Sequence, residues 1–223
     1  MRKCLSILLY GLLCVACLCA LSSCAVWNSL FGSKIEGLAL KHAKGIDDVL
    51  KPKEDVPYCT VNCSAPLTAI TKPEIYVYKS QRRMMVIQDG VLVRDYQVGL
   101  GPRVLGDKAF RGDGRTPEGD YFVCVRNPNS RFYKSLGLNY PLPKHAEKGL
   151  VKGDIGLQEF RQILEAYETR TKPPWNTALG GEIFIHGGGA HEDWTLGCVA
   201  LSNRAMDELF EVVTVGTPVH IFP

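Results

Sequence analysis

EIYVYKSQRRMMVIQDGVLV, residues 74–93, decides how the rest of the chain is read. Ile75-Tyr76-Val77-Tyr78 and Met84-Met85-Val86-Ile87 are runs of β-formers, and Asp89-Gly90 separates the second run from Val91-Leu92-Val93. A two-residue Asp-Gly between β-formers is the strongest short-range hairpin signal, because a type I′ turn needs positive φ at both central positions. The stretch therefore predicts a hairpin whose second strand continues through Tyr96 to Gly99.

Downstream, Gly99, Gly101, Gly106, Gly112 and Gly114 fall in a loop. They are no dinucleotide fingerprint, since the third glycine of G-x-G-x-x-G would land on Val104. Tyr121 to Val125 reads as a further strand. Over 156–171, Leu157, Phe160, Ile163, Leu164 and Tyr167 share one face of a 3.6-residue period, and Pro173-Pro174 ends that helix. Ile183-Phe184-Ile185 is a short buried strand running into His186. Asn203 is the expected N-cap of a second helix with Met206, Leu209, Phe210 and Val213 as its apolar stripe. Gly216 closes it, and Val219 to Phe222 is a final strand. The pattern predicts a mainly β domain of about 150 residues with inserted helices.

Upstream, residues 1–23 are set apart from the fold. Arg2 and Lys3 precede an apolar run from Leu5 to Ala20, and small residues follow, the pattern of a secretory signal. The run is short for a span of about 20 residues and lacks a basic stop-transfer flank. Leu21-Ser22-Ser23-Cys24 resembles the lipobox of bacterial lipoproteins, which implies cleavage before Cys24 and lipidation of its thiol and amine. Cleavage by an ordinary signal peptidase near Ala20 or Ser23 is the alternative. Ala25 in place of aspartate points, under the enterobacterial sorting rule, to the outer membrane. Residues 24–72 carry glycines and prolines among scattered apolar residues and read as a spacer with a helical piece.

At 46% hydrophobic and 22% charged, the chain is composed like a globular protein. Removing residues 1–23 takes two positive charges and lowers the net charge from +3 to +1. That balance makes no case for nucleic acid or for an anionic membrane surface. Four of the nine cysteines leave with the signal. Cys59 and Cys63 are expected to bridge a tight loop in an oxidising compartment, which leaves Cys124 and Cys198 unpaired.

The chemistry is concentrated in residues 183–203. His186 ends an apolar strand and precedes Gly187, Gly188 and Gly189; twelve residues on, Gly197-Cys198 opens the apolar Val199-Ala200-Leu201. A thiol with a pKa of about 8.5 is mostly protonated at neutral pH, so a nucleophilic cysteine needs a base. An imidazole at a glycine-flanked strand end supplies one, and the Gly197 and Cys198 amides are candidate oxyanion donors. Two other readings stay open: a buried, inert Cys198, and a metal held by His186, His191 and Cys198, whose spacing matches no standard zinc signature.

The stretch Ile185-His186-Gly187 … Thr195-Leu196-Gly197-Cys198-Val199-Ala200-Leu201-Ser202-Asn203 resembles the active-site motif of the L,D-transpeptidases, the YkuD domain family. Arg115-Thr116-Pro117-Glu118-Gly119-Asp120-Tyr121 is similar to that family's Thr-Pro-x-Gly-x-Tyr/Phe strand. Asn127-Pro128-Asn129-Ser130-Arg131-Phe132, with Ser135-Leu136 and Asn139-Tyr140-Pro141, is similar to its YafK-type branch. The resemblance covers residues 73–223 and implies a YkuD-type β-sandwich catalytic domain. It implies Cys198 as nucleophile and His186 as base, with Gly197, Thr195 and Gly187 lining the site and no cofactor or metal. The implied partner is the peptidoglycan stem peptide, at the cell envelope's periplasmic face. A cysteine thioester with a tetrapeptide stem would pass to an amine. Within the same fold, an L,D-carboxypeptidase or a hydrolase of lipoprotein–peptidoglycan bonds is the alternative; a non-catalytic peptidoglycan-binding lipoprotein is a third.

The motif departs from the commonest form at Leu196 and Ala200. Trp194, Arg131, Tyr133 and Arg115 are candidate substrate-binding residues, and His191 is expected to be a solvated loop residue. The 156–171 helix is expected to cap the groove.

Overall fold

The computed structural model describes residues 60–223. The expected hairpin is β3 (Arg83–Gln88) and β4 (Val91–Gln97), joined by Asp89 and Gly90, which both hold positive φ (50° and 76°). β2 (Glu74–Tyr78) pairs antiparallel with β3. The remaining strands are β1 (Thr60–Val61), β5 (Gly119–Ser130), β6 (Tyr133–Leu138), β7 (Phe184–His186), β8 (Val199–Ala200) and β9 (Pro218–Phe222). They form one mixed nine-stranded sheet in the order β1-β4-β3-β2-β9-β5-β6-β7-β8. The mainly β fold with inserted helices is therefore the observed one.

The sandwich character comes from the sheet closing on itself. Gly99, two residues past β4, exchanges both backbone hydrogen bonds with Ala200 of β8 (3.0 and 2.7 Å). A Cβ on Gly99 would stand 2.3 Å from the Glu192 carbonyl oxygen, so this closure requires glycine. Ile75, Val77, Met84 and Val86 from one half then share a core with Leu136, Leu138, Ile185 and Val199 from the other. Ala205, Met206 and Leu209 complete it from the helix Asn203–Val212.

Chain before residue 73 also joins the sheet: β1 runs parallel to β4, a 3₁₀ turn spans Leu67–Ala69, and Ala65 and Ile70 are buried. Cys63 is exposed. Its intended partner Cys59, the lipidation candidate Cys24 and the leader lie outside the described residues.

Three α-helices are inserted among the described residues. α1 (Pro143–Lys152) was not foreseen, because Pro141, Pro143, Gly149 and Gly153 punctuate it. Pro143 sits in its first turn, where the missing N–H costs nothing, and Gly153 ends it in the left-handed conformation (φ 79°). α2 (Leu157–Glu168) is the predicted helix, three residues shorter at its C-terminus. Only the middle of its stripe is covered: Ile163 packs with Ala146, Ile155 and Leu179, while Leu157 and Tyr167 stay exposed. α1 and α2 thus build a satellite core of their own. α3 (Asn203–Val212) is capped by Ser202 rather than Asn203, with the Ser202 hydroxyl accepting from the Ala205 amide (3.2 Å). Asn203 is freed for another contact, described below.

Candidate active site

β7 and β8 run parallel, with Ile185 beside Val199 and His186 beside Ala200. Cys198 immediately precedes β8, and His186 ends β7 beside it. Both line a cavity of about 620 Å³.

The imidazole is fixed from three sides. His186 Nδ1 lies 2.6 Å from the Gly187 carbonyl oxygen, which can only accept, so Nδ1 carries the proton and Nε2 keeps its lone pair. Phe132 stacks on the ring at 4.8 Å between centroids, and Trp194 meets it edge-on at 5.5 Å. The Trp194 indole donates to the Gly189 carbonyl (3.2 Å), which keeps it in place. Burial pushes the imidazole below the ordinary histidine range; the Gly187 carbonyl pulls the other way, and the Arg131 charge adds to the lowering. Burial thus favours the uncharged imidazole.

Cys198 Sγ accepts from the Phe184 amide (3.4 Å) and donates to the Glu182 carbonyl (3.6 Å). Burial pushes this thiol above the ordinary cysteine range; the Phe184 amide, Lys108 and Arg131 oppose the rise, and the Glu182 charge adds to it. At rest the pair is thiol and imidazole rather than thiolate and imidazolium.

The turn that presents the sulfur is built by Thr195. Its hydroxyl donates to the Cys198 carbonyl (2.8 Å) and accepts from the Gly197 amide (3.2 Å). The Gly197 amide, a candidate oxyanion donor, thus has the Thr195 hydroxyl as its partner here. The Cys198 amide has no partner among the described residues. Gly197 serves by lacking a side chain: at φ 128° an added Cβ would stand 2.5 Å from the Arg115 carbonyl. Gly187 is required in the same way, because its Cβ would lie 2.6 Å from Asn203 Oδ1. That oxygen accepts from the Gly188 amide (2.9 Å) and ties the start of α3 to the histidine loop.

Of the four candidate substrate-binding residues, two reach the cavity. Trp194 lines it, and so does Arg131, whose guanidinium lies over the Phe132 ring at 4.7 Å. Tyr133 points elsewhere and donates to the Asp207 carboxylate (3.0 Å). Arg115 is held by the Leu105 carbonyl (3.2 Å) and contributes backbone only. His191 is 75% exposed beside Glu192 and does not line the cavity. Nor does any residue of α1 or α2, so the helix at 157–168 is not a lid; the segment that follows it, through Gly180, Gly181 and Glu182, forms the wall.

Several lining residues carried no sequence signal of their own. Lys108 is buried in an ion pair with Asp113 (2.7 Å), and Ser135 reaches the site only through its register with His186. Glu182 could have been suspected from Gly180-Gly181, since paired glycines before a strand mark close backbone approach. An added Cβ on Gly181 would stand 2.4 Å from Trp175 Cα.

Residues 72–221 match the family model of the YkuD L,D-transpeptidase catalytic domain, two thirds of the chain. The chain belongs to this family. It is 28% identical over 144 residues to "Putative L,D-transpeptidase YafK" of Escherichia coli (strain K12). That match covers 63% of this chain and 42% of the relative, so it spans less than half the relative's length. Among solved structures, the helical cell shape determining protein Pgp2 (K307A mutant) of Campylobacter jejuni aligns at 22% identity and TM-score 0.45, over 67% of this chain and 46% of its own. Bd1075 of Bdellovibrio bacteriovorus aligns at 23% identity and TM-score 0.41, over 70% and 49%.

Proposed function

We propose that the chain is a cysteine-dependent peptidoglycan L,D-transpeptidase in which Cys198 forms a thioester with a tetrapeptide stem. The observation that carries this is His186, whose Nδ1 is committed to the Gly187 carbonyl so that Nε2 keeps its lone pair, lining the same cavity as the Cys198 thiol. The thiol proton passes to His186 Nε2 as sulfur attacks the carbonyl of the stem's third residue. The Cys198 amide faces the developing oxyanion. The C–N bond then breaks, the leaving D-alanine amine takes the proton from His186, and a thioester remains. An acceptor amine attacks that carbonyl and gives a proton to His186, which returns it to the departing sulfur. The donor set needs no metal or cofactor for any of these transfers. We further place the chain at the periplasmic face of the envelope, anchored through Cys24; Cys24→Ser should release it from membranes, and continued membrane binding would remove the anchor.

The test is incubation with disaccharide-tetrapeptide, followed by mass spectrometry of protein and products. The wild type should release D-alanine and carry an acyl adduct on the Cys198 peptide. Cross-linked dimer reports transfer to an amine; tripeptide alone reports transfer to water and would overturn the transpeptidase assignment. Cys198→Ala should lose at least about 10³-fold in turnover. Equal turnover by that variant would end the cysteine mechanism.

A further inference from the structure

Two residues that do not line the cavity hold the loop between His186 and Cys198. Arg82, in the turn from β2 to β3, and Asp193, in the loop from β7 to β8, stand 111 positions apart in the chain. Arg82 Nε donates to both carboxylate oxygens of Asp193 (3.1 and 2.9 Å), and one terminal nitrogen donates to Oδ2 (2.7 Å). The other terminal nitrogen donates to the Lys79 carbonyl (2.7 Å), which fixes the plane of the guanidinium. Arg82 itself is kept at φ 53°, and its carbonyl accepts from the Val98 amide (2.9 Å). A left-handed non-glycine residue persists only where its surroundings over-determine it.

At the other end of the pair, Asp193 Oδ1 also accepts from the Leu100 amide (2.9 Å), while the Leu100 carbonyl accepts from the Thr195 amide (3.0 Å). Leu100 is fully buried. Trp194 is therefore bracketed, since the residues on either side of it are tied to one buried residue. Trp194 is the ring that meets His186 edge-on, and Thr195 is the residue whose hydroxyl holds the Cys198 carbonyl and the Gly197 amide. A forked guanidinium–carboxylate pair sets orientation as well as distance, which a point charge does not.

We infer that Asp193 is a positioning residue for the catalytic pair: with Arg82 it holds Trp194 against His186 and Thr195 on the Cys198 carbonyl, from outside the cavity. Its effect on rate rests on the thioester reading above; its effect on the loop does not. An amide in place of this carboxylate has one acceptor oxygen, and its NH₂ would face either the guanidinium or the Leu100 amide, both of which are donors. One of the two ties is then lost, and the loop is gripped at Thr195 alone. A misplacement of about 1 Å costs about 10²-fold in rate, so a small loosening is amplified in turnover.

The same sheet supplies a matched control. Arg83 of β3 donates through Nε to Asp95 of β4 (2.9 Å), and neither residue lines the cavity. The side chains of that pair are 40% and 25% exposed, close to the 35% and 22% of Arg82 and Asp193. The experiment compares Asp193→Asn with Asp95→Asn in D-alanine release from disaccharide-tetrapeptide and in fluorine NMR of fluorotryptophan-labelled protein, with Trp194→Phe to assign the Trp194 resonance and melting temperature as the folding control. Asp193→Asn should lose at least about tenfold in kcat and move the Trp194 resonance and no other tryptophan's. Asp95→Asn should keep the wild-type kcat and the wild-type Trp194 resonance. Arg82→Lys, which keeps the charge and loses the fork, is the milder variant and should show the same two changes to a smaller extent. Arg82→Ala added to Asp193→Asn should slow turnover no further, because a pair that acts as a unit is lost once. A wild-type kcat in Asp193→Asn, an equal loss in Asp95→Asn, or a loss with an unmoved Trp194 resonance overturns the inference. A wild type that releases no D-alanine overturns the thioester reading instead, and the Trp194 resonance in Asp193→Asn then decides the positioning on its own.

Discussion

Burial acts on Cys198 and His186 in the same sense, keeping both neutral at rest. A thiol whose pKa lies above the ordinary range is little ionised at pH 7, so alkylation by iodoacetamide, followed at the Cys198 peptide, should climb steeply only above about pH 8.5. Fast alkylation that is flat between pH 5 and 8 would show a preformed ion pair instead. Gly197 permits a sharper test, because two left-handed glycines differ in one respect. Gly90 has open space where its Cβ would be, and Gly197 has the Arg115 carbonyl at 2.5 Å. Gly90→Ala should cost about 1 kcal/mol of conformational strain, and Gly197→Ala about 3 kcal/mol or more, read by urea denaturation. Equal costs would mean that the 195–198 turn yields. At this scale the sequence was most informative where chemistry and backbone freedom coincide. His186 and Cys198 were legible from a strand end, a glycine run and a family motif. The partner of the Gly197 amide was not, since it depends on which way the Thr195 hydroxyl turns.

Elements are held to the sheet by charges that no local pattern announces. At the start of α1, Asp107 accepts from the Glu118 amide (2.8 Å) and from Lys144 (2.6 Å), and buried His145 stands 3.2 Å away. His145 Nδ1 accepts the Leu142 amide (3.0 Å), so Nε2 carries the proton toward the carboxylate. Burial raises the Asp107 pKa, but His145, the Glu118 amide and Lys144 outweigh it and hold the carboxyl well below the usual range. A depressed folded pKa contributes stability above the unfolded value, about 3.9, that is lost as pH falls toward the folded one. Asp107→Asn should therefore cost about 2 kcal/mol at pH 6 and less at pH 3, by urea denaturation at both. A cost that does not depend on pH would mean that packing, not charge, holds α1. α1 itself escaped notice because its prolines and glycines read as loop. β6 was hidden for a related reason. Gly137 weakens its β signal, yet a Cβ there would meet Phe184 at 2.9 Å and Trp175 at 3.0 Å. The residue that dilutes the strand is the one that lets the site wall pack on it.

At the level of the molecule, strands were legible and their neighbours were not. Alternation and turns mark Ile75–Tyr78 and Val219–Phe222 as strands, but nothing in either says that β9 lies parallel to β2 with Ile75 beside Val219. Nor does any local signal place β5 on its other edge, with Tyr121 beside Val219. The order follows from joint burial of Ile75, Val77, Tyr121, Val219 and Ile221 in one core. β9 is thus a central rib, although residues 218–222 follow every other strand along the chain. This has a consequence in time. Apart from the Gly99–Ala200 bridge, β5 to β8 join the β1–β4 half of the sheet through a strand a ribosome makes after all of them. Until that strand arrives, the hairpin can form locally, but the join of β2 and β5 through β9 cannot. Non-local closures of this kind are slow steps in folding. The register between the two halves is therefore completed only once residues 218–222 have been made, a delay written into the order of the strands.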